Sequence, residues 1–366
     1  MSSQFRTPSA TVGFFLIVLA SFVLTLPARA QQFGPWSRPT NLNAIELSDG
    51  TPCPAVVNSP FDDNHPTISK DGLSLIFQSN RHPTSFGGVD LWVTERDSLE
   101  DCWQTPVNVG PVVNSAFNDG TPNLTNDGHW LYFQSTRPTW STPDGIAVPS
   151  CGGGDLYASH RQNKHSDWET PINLGCTINT PGFDQAGPLH FEDDATGTQF
   201  LYFASRPIGA SDVFWDIYVS TCDADLAACN TQRLWTPGAP VDALNSRFRD
   251  TRTAIRRRDG LEMILSTGRP GSLASENLWV STRATTLNQN WLPPVPINCN
   301  WLVPMTCPAW APFGPLVNSP AFDGAPALSW DATELYFFSE RTDLPGFAGR
   351  RDLYVSKRAK VKEPKD

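Results

Sequence analysis

One element recurs five times along this 366-residue chain, and few architectures accommodate such a series. It reads Leu75-Ile76-Phe77-Gln78-Ser79-Asn80-Arg81, then Leu131-Tyr132-Phe133-Gln134-Ser135-Thr136-Arg137, then Leu201-Tyr202-Phe203-Ala204-Ser205-Arg206. It returns as Met263-Ile264-Leu265-Ser266-Thr267-Gly268-Arg269 and as Leu335-Tyr336-Phe337-Phe338-Ser339-Glu340-Arg341. A Gly/Pro-rich turn and a second short run come after each copy, beginning at Asp90, Asp155, Asp216, Asn277 and Asp352. Four units then continue to a tryptophan, at Trp103, Trp168, Trp235 and Trp291. An Asn-Ser or Asn-Thr pair opens every unit, at Asn58, Asn114, Asn179, Asn245 and Asn318. Five positions beyond each asparagine stands an aspartate: Asp63, Asp119, Asp184, Asp250 and Asp323.

These short runs are rich in aromatic and β-branched residues and bounded by Gly, Pro, Asn or Asp, which is the signature of strands. Thirty-three prolines argue against a helical alternative. Four strands in a unit of roughly 60 residues make one blade of a β-propeller. The fifth unit lacks its tryptophan strand, and the missing piece stands at the other end, in Trp36-Ser37-Arg38-Pro39-Thr40-Asn41-Leu42. The expected fold is therefore all-β: a five-bladed β-propeller of four-stranded antiparallel blades, closed by an N-terminal strand that completes the last blade.

The units resemble the WD40-like, TolB-type propeller repeat, in which P-x-L-S-x-D-G leads to an apolar run, S-x-R and then D-L-Y. Asp71-Gly72, Asp127-Gly128 and Asp259-Gly260 match its turn, with Asp331-Ala332 in a fourth unit. The resemblance spans roughly residues 33–357 and implies a propeller. TolB's N-terminal α/β domain and sixth blade have no counterpart here, so its envelope partners are not implied.

Residues 1–30 read as a secretory signal peptide: Arg6, an apolar run over 12–26, and Ala28-Arg29-Ala30 before the cut. The propeller is assigned to 31–356 and a basic disordered tail to 357–366. Removing two arginines with the leader leaves 25 basic against 37 acidic side chains, a balance that repels phosphate backbones. Nucleic acid is thus excluded as a partner, no membrane span is expected, and the protein is expected to be a monomer. Eight cysteines in an exported chain favour disulfides over metal. Cys222–Cys229, Cys299–Cys307 and Cys151–Cys176 are the expected bonds. Cys53–Cys102 is what remains, although the expected strand directions put these two at opposite ends.

Because blade strands alternate in direction, the Asn-to-Pro loops and the segments after each S-x-R share one face. The insertions 138–154, 44–56 and 299–316 are assigned to it, which makes it the expected ligand face. The five aspartates and Arg81, Arg137, Arg206, Arg269 and Arg341 recur in every unit, as architectural ion pairs would. Positions that break the repeat are the better ligand candidates. One series reads His65, Thr121, Gly187, Arg252 and Ala325; another reads Asp62, Asn118, Phe183, Arg249 and Phe322. Arg247, Arg249 and Arg252 could clamp a carboxylate or sulfate, whereas Arg256-Arg257-Arg258 reads as a solvated turn. His65 and His82 share the first unit, and Trp140 could stack on a sugar. No cofactor or metal motif is present, nor a G-x-S-x-G, H-E-x-x-H or P-loop. The expected function is a secreted or periplasmic binding scaffold for a carbohydrate, peptide or protein, not an enzyme. The alternative is a glycan hydrolase or lyase using Asp63, Asp119 and Asp184, with the arginines gripping an acidic sugar.

Overall fold

The computed structural model describes residues 33–141, 145–297 and 317–361. Five four-stranded antiparallel sheets stand around one axis. Their innermost strands are Asp63–Ile68, Asp119–Leu124, Phe183–Glu192, Asp250–Ile255 and Asp323–Leu328, and each lies beside the innermost strands of both neighbouring blades. The fourth strand of blade 5 is Thr40–Asn41, paired with Val355 and Tyr354. The chain's two ends therefore share a sheet, and the ring closes. The five-bladed, all-β architecture read from the repeat is the architecture observed.

The repeated asparagines couple the blades. The side chain of Asn114 accepts from the Leu91 N–H at 2.8 Å and donates to the Leu91 carbonyl at 3.0 Å. Asn179 does the same to Leu156, Asn245 to Ile217, Asn318 to Leu278 and Asn58 to Leu353. Each amide thus imitates a strand partner for the preceding blade's third strand, meeting a buried N–H and sharing a carbonyl that, in blades 1 to 4, also accepts from the fourth strand. Apolar packing obeys the same logic. Phe77, Trp92 and Trp103 of blade 1 pack with Tyr336, Phe338 and Val355 of blade 5, and four further clusters occupy the other blade interfaces.

The opposite face carries a second repeated arginine. Arg96, Arg161, Arg283 and Arg358 each donate Nε to a turn carbonyl, at Gly72, Gly128, Gly260 and Ala332. Each also lies 4.3–4.4 Å over a tryptophan: Trp103, Trp168, Trp291 and Trp36 respectively. In blade 3 the equivalent position is Cys222, bonded to Cys229 of the one-turn helix Leu226–Thr231. There Trp235 instead donates to Asn230, which also accepts from the Tyr132 hydroxyl.

Three disulfides form among the described residues: Cys53–Cys102, Cys151–Cys176 and Cys222–Cys229. Such bonds belong to an oxidising, extracellular kind of compartment. Cys299, Cys307 and the leader 1–30 lie outside the described residues. Cys53–Cys102 corrects one expectation without disturbing the strand directions. The segment 44–56 does not stay on the loop-rich face. It folds into a hairpin, bridged Glu46 to Pro52, that borders a cavity with Arg96, Leu99 and Trp103 on the far side of blade 1. The assigned tail is also corrected at its start. Lys357 ends a strand, and Arg358 is buried with both Nη atoms on Glu262, at 2.8 and 3.0 Å. No helix among the described residues is long and apolar enough to cross a membrane.

Replacing Asn114 by alanine should strand the Leu91 N–H between blades 1 and 2, while the Leu91 carbonyl keeps the Val109 N–H. A loss of about 1–3 kcal/mol is expected for that one orphaned group, read as a lower urea midpoint. A change below about 0.5 kcal/mol would show that these amides do not couple the blades.

Candidate functional site

Every innermost strand carries a β-bulge one turn below the loop-rich face. The bulged residues are His65, Thr121, Gly187, Arg252 and Ala325, all at positive φ, between 25° and 60°. Bulges re-aim side chains and concentrate near functional sites. The donors they release are met across blade boundaries. Gln78 accepts from the Thr121 N–H at 2.7 Å, the Thr121 hydroxyl from the Gly187 N–H at 3.1 Å, and the Ser266 hydroxyl from the Ala325 N–H at 2.9 Å. Holding four non-glycine residues at positive φ costs on the order of 1 kcal/mol each. The bulges line a narrow axial cavity of about 30 Å³, room for one or two waters and no more. Arg257 lies on its wall and donates to the Leu124 carbonyl at 2.7 Å, from the opposite side of the ring.

Above the cavity the symmetry ends. The residue preceding each third strand arches over the next blade's innermost strand and reads Val89, Gly154, Trp215, Glu276 and Arg351. Charge therefore collects on blades 4 and 5. Glu276 is buried, 2.8 Å from Arg249 Nε, and accepts from the Thr251 hydroxyl at 2.7 Å. Burial raises its carboxyl above the ordinary range, against the pull of Arg249. Arg351 donates to Glu340 at 2.9 Å and lies 5.4–5.6 Å over Phe338 and Phe322. Arg252 packs on Gly187, where a Cβ would come within 2.7 Å of its Cδ. Its Nε and Nη1 are shut off from solvent and have no hydrogen-bond partner. Burial, with the charges of Arg249 and Arg351, lowers its pKa to about 9. His65 lies against Phe338, with ring centroids 5.6 Å apart, and burial and these three arginines push its pKa well down.

The clamp residues occupy a separate layer. Asp63, Asp119, Asp250 and Asp323 are fully buried, each in ion contact with the arginine of its own unit: Arg81, Arg137, Arg269 and Arg341. Each also accepts from the backbone N–H of the serine four residues earlier. Blade 3 slips by one residue. Gln185, not Asp184, pairs across to Ser205 and donates its N–H to Gly154, as Asp63 does to Arg351. Asp184 thereby moves outward to the level of Asp62, Asn118, Arg249 and Phe322, where it meets Arg206 Nε at 3.2 Å and is 18% exposed. The three carboxylates grouped by sequence are thus divided. Asp63 and Asp119 are locked in clamps, and Asp184 stands at the rim.

The other ligand candidates also separate. Arg249 and Arg252 meet at the axis, while Arg247 is exposed over its own neighbour Phe248. His82 is exposed, edge-on to Phe61, apart from His65. Trp140, in the hairpin Thr139–Ser141 with Ala147–Pro149, is stacked by Arg233 at 4.2 Å and pins its own loop. The expected solvated turn is corrected as well: Arg256 and Arg257 are buried, and Arg256 bonds Asp259 and Glu262. No group of three or more His, Cys, Asp or Glu side chains able to hold a metal occurs among the described residues. Sequence reasoning misses Glu276 and Arg351. The signal is present in the residue before each D-L-Y run, which varies around the ring while the run itself does not.

No protein-family model and no curated protein matches the chain. Solved structures do. A thermostable family-43 glycoside hydrolase is 11% identical over 87% of this chain and 94% of its own, with a TM-score of 0.49. The α-L-arabinofuranosidase of Lactobacillus brevis is 13% identical over 86% and 94%, at 0.48. That of Podospora anserina, solved with cellotriose, is 9% identical over 89% and 97%, at 0.49. The TolB-type resemblance is corrected on these grounds: no such family model matches, and the three solved structures just named are glycoside hydrolases. The expectation of a non-catalytic binding scaffold is withdrawn with it. At these identities the likeness is one of architecture, and the neighbours' substrates and residues are not carried over.

The division of the aspartates is testable. Asp63→Asn and Asp119→Asn each leave a buried guanidinium without its counter-charge and should cost about 3–5 kcal/mol of stability. Asp184→Asn, at a partly exposed pair, should cost about 1 kcal/mol or less. Equal losses in all three denaturation curves would contradict the one-residue slip.

Proposed function

We propose that this protein cleaves glycosidic bonds in a carboxylate-bearing glycan, at the funnel where blades 4, 5 and 1 meet. The observation that carries the reading is Arg252, whose Nε and Nη1 sit desolvated and unpartnered at the axial mouth. A guanidinium with unmet donors gains from an anionic acceptor, as a sugar carboxylate is. Arg351 adds a second cation. In an acidic protein this small positive funnel concentrates anionic groups against the surrounding field.

Glu276 supplies the acid. Cleaving a glycosidic bond requires a proton for the leaving oxygen, and burial makes the Glu276 carboxyl hold its proton more tightly than an ordinary glutamate. The narrow cavity is too small for a sugar ring, so the glycan lies across its mouth, over the tier that holds Arg252 and His65. Phe61, Phe86, Phe117, Phe214 and Phe347 are 39–59% exposed in the loops of that face and offer flat apolar surfaces to sugar rings. The leader at 1–30 delivers the enzyme to the compartment in which its disulfides form.

Reducing-end release from uronic-acid polymers and from neutral xylan provides the test. Arg252→Ala should lower kcat/KM on the acidic polymer about 30- to 100-fold, the worth of one charged hydrogen-bond pair. Glu276→Gln should lower kcat about 10²- to 10⁴-fold with little change in KM. Activity should fall as pH rises through the elevated Glu276 value. Folding stability should weaken in the same direction, because this carboxyl binds its proton more tightly when folded than unfolded. Faster cleavage of neutral xylan, or full activity in Arg252→Ala, would sink the reading.

A further inference from the structure

We infer that the cleavage is eliminative, with His65 removing the proton from the carbon that bears the carboxylate held by Arg252 and Arg351. This rests on the reading above and adds the reaction type and the base. His65 occupies the bulge of blade 1, at φ 52°, and lines the axial cavity in the same tier as Arg252. Its Nδ1 lies 2.6 Å from Asn64 Oδ1. An amide oxygen only accepts, so the ring proton resides on Nδ1 and the lone pair on Nε2. Phe338 packs the ring from blade 5 and holds its plane.

The charged groups that face His65 are Arg249 and Arg252 from blade 4 and Arg351 from blade 5, and all three are cations. Glu276 and Glu340 lie behind them, each already in contact with an arginine. An imidazole so surrounded stays neutral and remains a base at mildly acidic pH. The same guanidiniums meet the need that makes a hydrogen α to a carboxylate hard to remove. They neutralise the carboxylate and stabilise the second negative charge that develops on its oxygens.

The step balances without a co-reactant. The C–H bond breaks and its proton passes to His65 Nε2. The electron pair becomes a C=C bond to the adjacent carbon, whose C–O bond to the leaving sugar breaks. The departing oxygen takes the proton of Glu276. No water is consumed, and solvent returns the proton from His65 to Glu276.

The test uses the full-length protein with pectate, alginate and hyaluronan, recording reducing ends and the ultraviolet absorbance of a conjugated double bond. Equal molar yields of the two signals are expected on at least one polymer. His65→Asn, which tolerates positive φ, should lower both signals at least 100-fold while the polymer's Kd changes less than about threefold. In the unsubstituted protein the acidic limb of kcat/KM should fall below the ordinary histidine range, near 6.5. Reducing ends without double-bond absorbance, or full activity in His65→Asn, would overturn the eliminative route and leave acidic-glycan cleavage standing. No cleavage of any of the three would remove both.

Discussion

A two-point bond from one asparagine side chain to the backbone of the preceding blade is the interaction on which the rest of the ring depends. A propeller blade has an exposed third-strand edge wherever its short fourth strand ends. Asn58, Asn114, Asn179, Asn245 and Asn318 close that edge at the same height in all five blades. The same residues start the descent into the next innermost strand, so one side chain sets both the spacing of neighbouring blades and the register of that strand. The aspartate–arginine clamp then fixes the loop between them, and the bulge falls two residues further on. The axial funnel inherits its geometry from this chain of constraints.

Where the ring departs from fivefold symmetry, it does so in adjoining blades. Blade 3 slips by a residue, replaces its outer arginine with a disulfide and places Gly187 at the funnel wall. The space this leaves is where Arg252 of blade 4 lies down. Blade 4 in turn has Thr253 where the four other bulges have proline, and blade 5 supplies Arg351 and Phe338. Small residues on one blade and long charged ones on the next are complementary: the cation rests on glycine because nothing bulkier fits beneath it.

Much of this is legible in sequence because a repeat supplies its own alignment. Five copies determine the blade count, the strand directions and the closure at Thr40–Asn41, and the series through His65 and Arg252 points to the axial tier. Spacing alone misplaces Asp184, because its distance from Asn179 matches the other units whereas hydrogen-bond register assigns the clamp position to Gln185. The slip shows only from the other side, where Asp184 stands three residues before Gly187 while the other aspartates stand two before their bulge. A run of three arginines reads as solvated, yet Arg257 is buried through a carbonyl of blade 2, more than a hundred residues away. The hairpin at 45–53 escapes for a similar reason, since a loop's sequence does not state which way it folds over an edge.

Arg257 also decides how a polymer can be held. It reaches from blade 4 to the Leu124 carbonyl and to Asn126 of blade 2, its pKa lowered to about 10 by burial. A cation there, lining a cavity only a water or two in volume, makes the funnel blind. A linear glycan cannot thread the axis and must cross the face, so contact with the arginine tier is limited to the one residue over the mouth. On the proposed function, a blind, cationic recess with an acid beside it would select one charged sugar within a chain, while the exposed aromatic rings of the surrounding loops would hold the neutral faces of its neighbours.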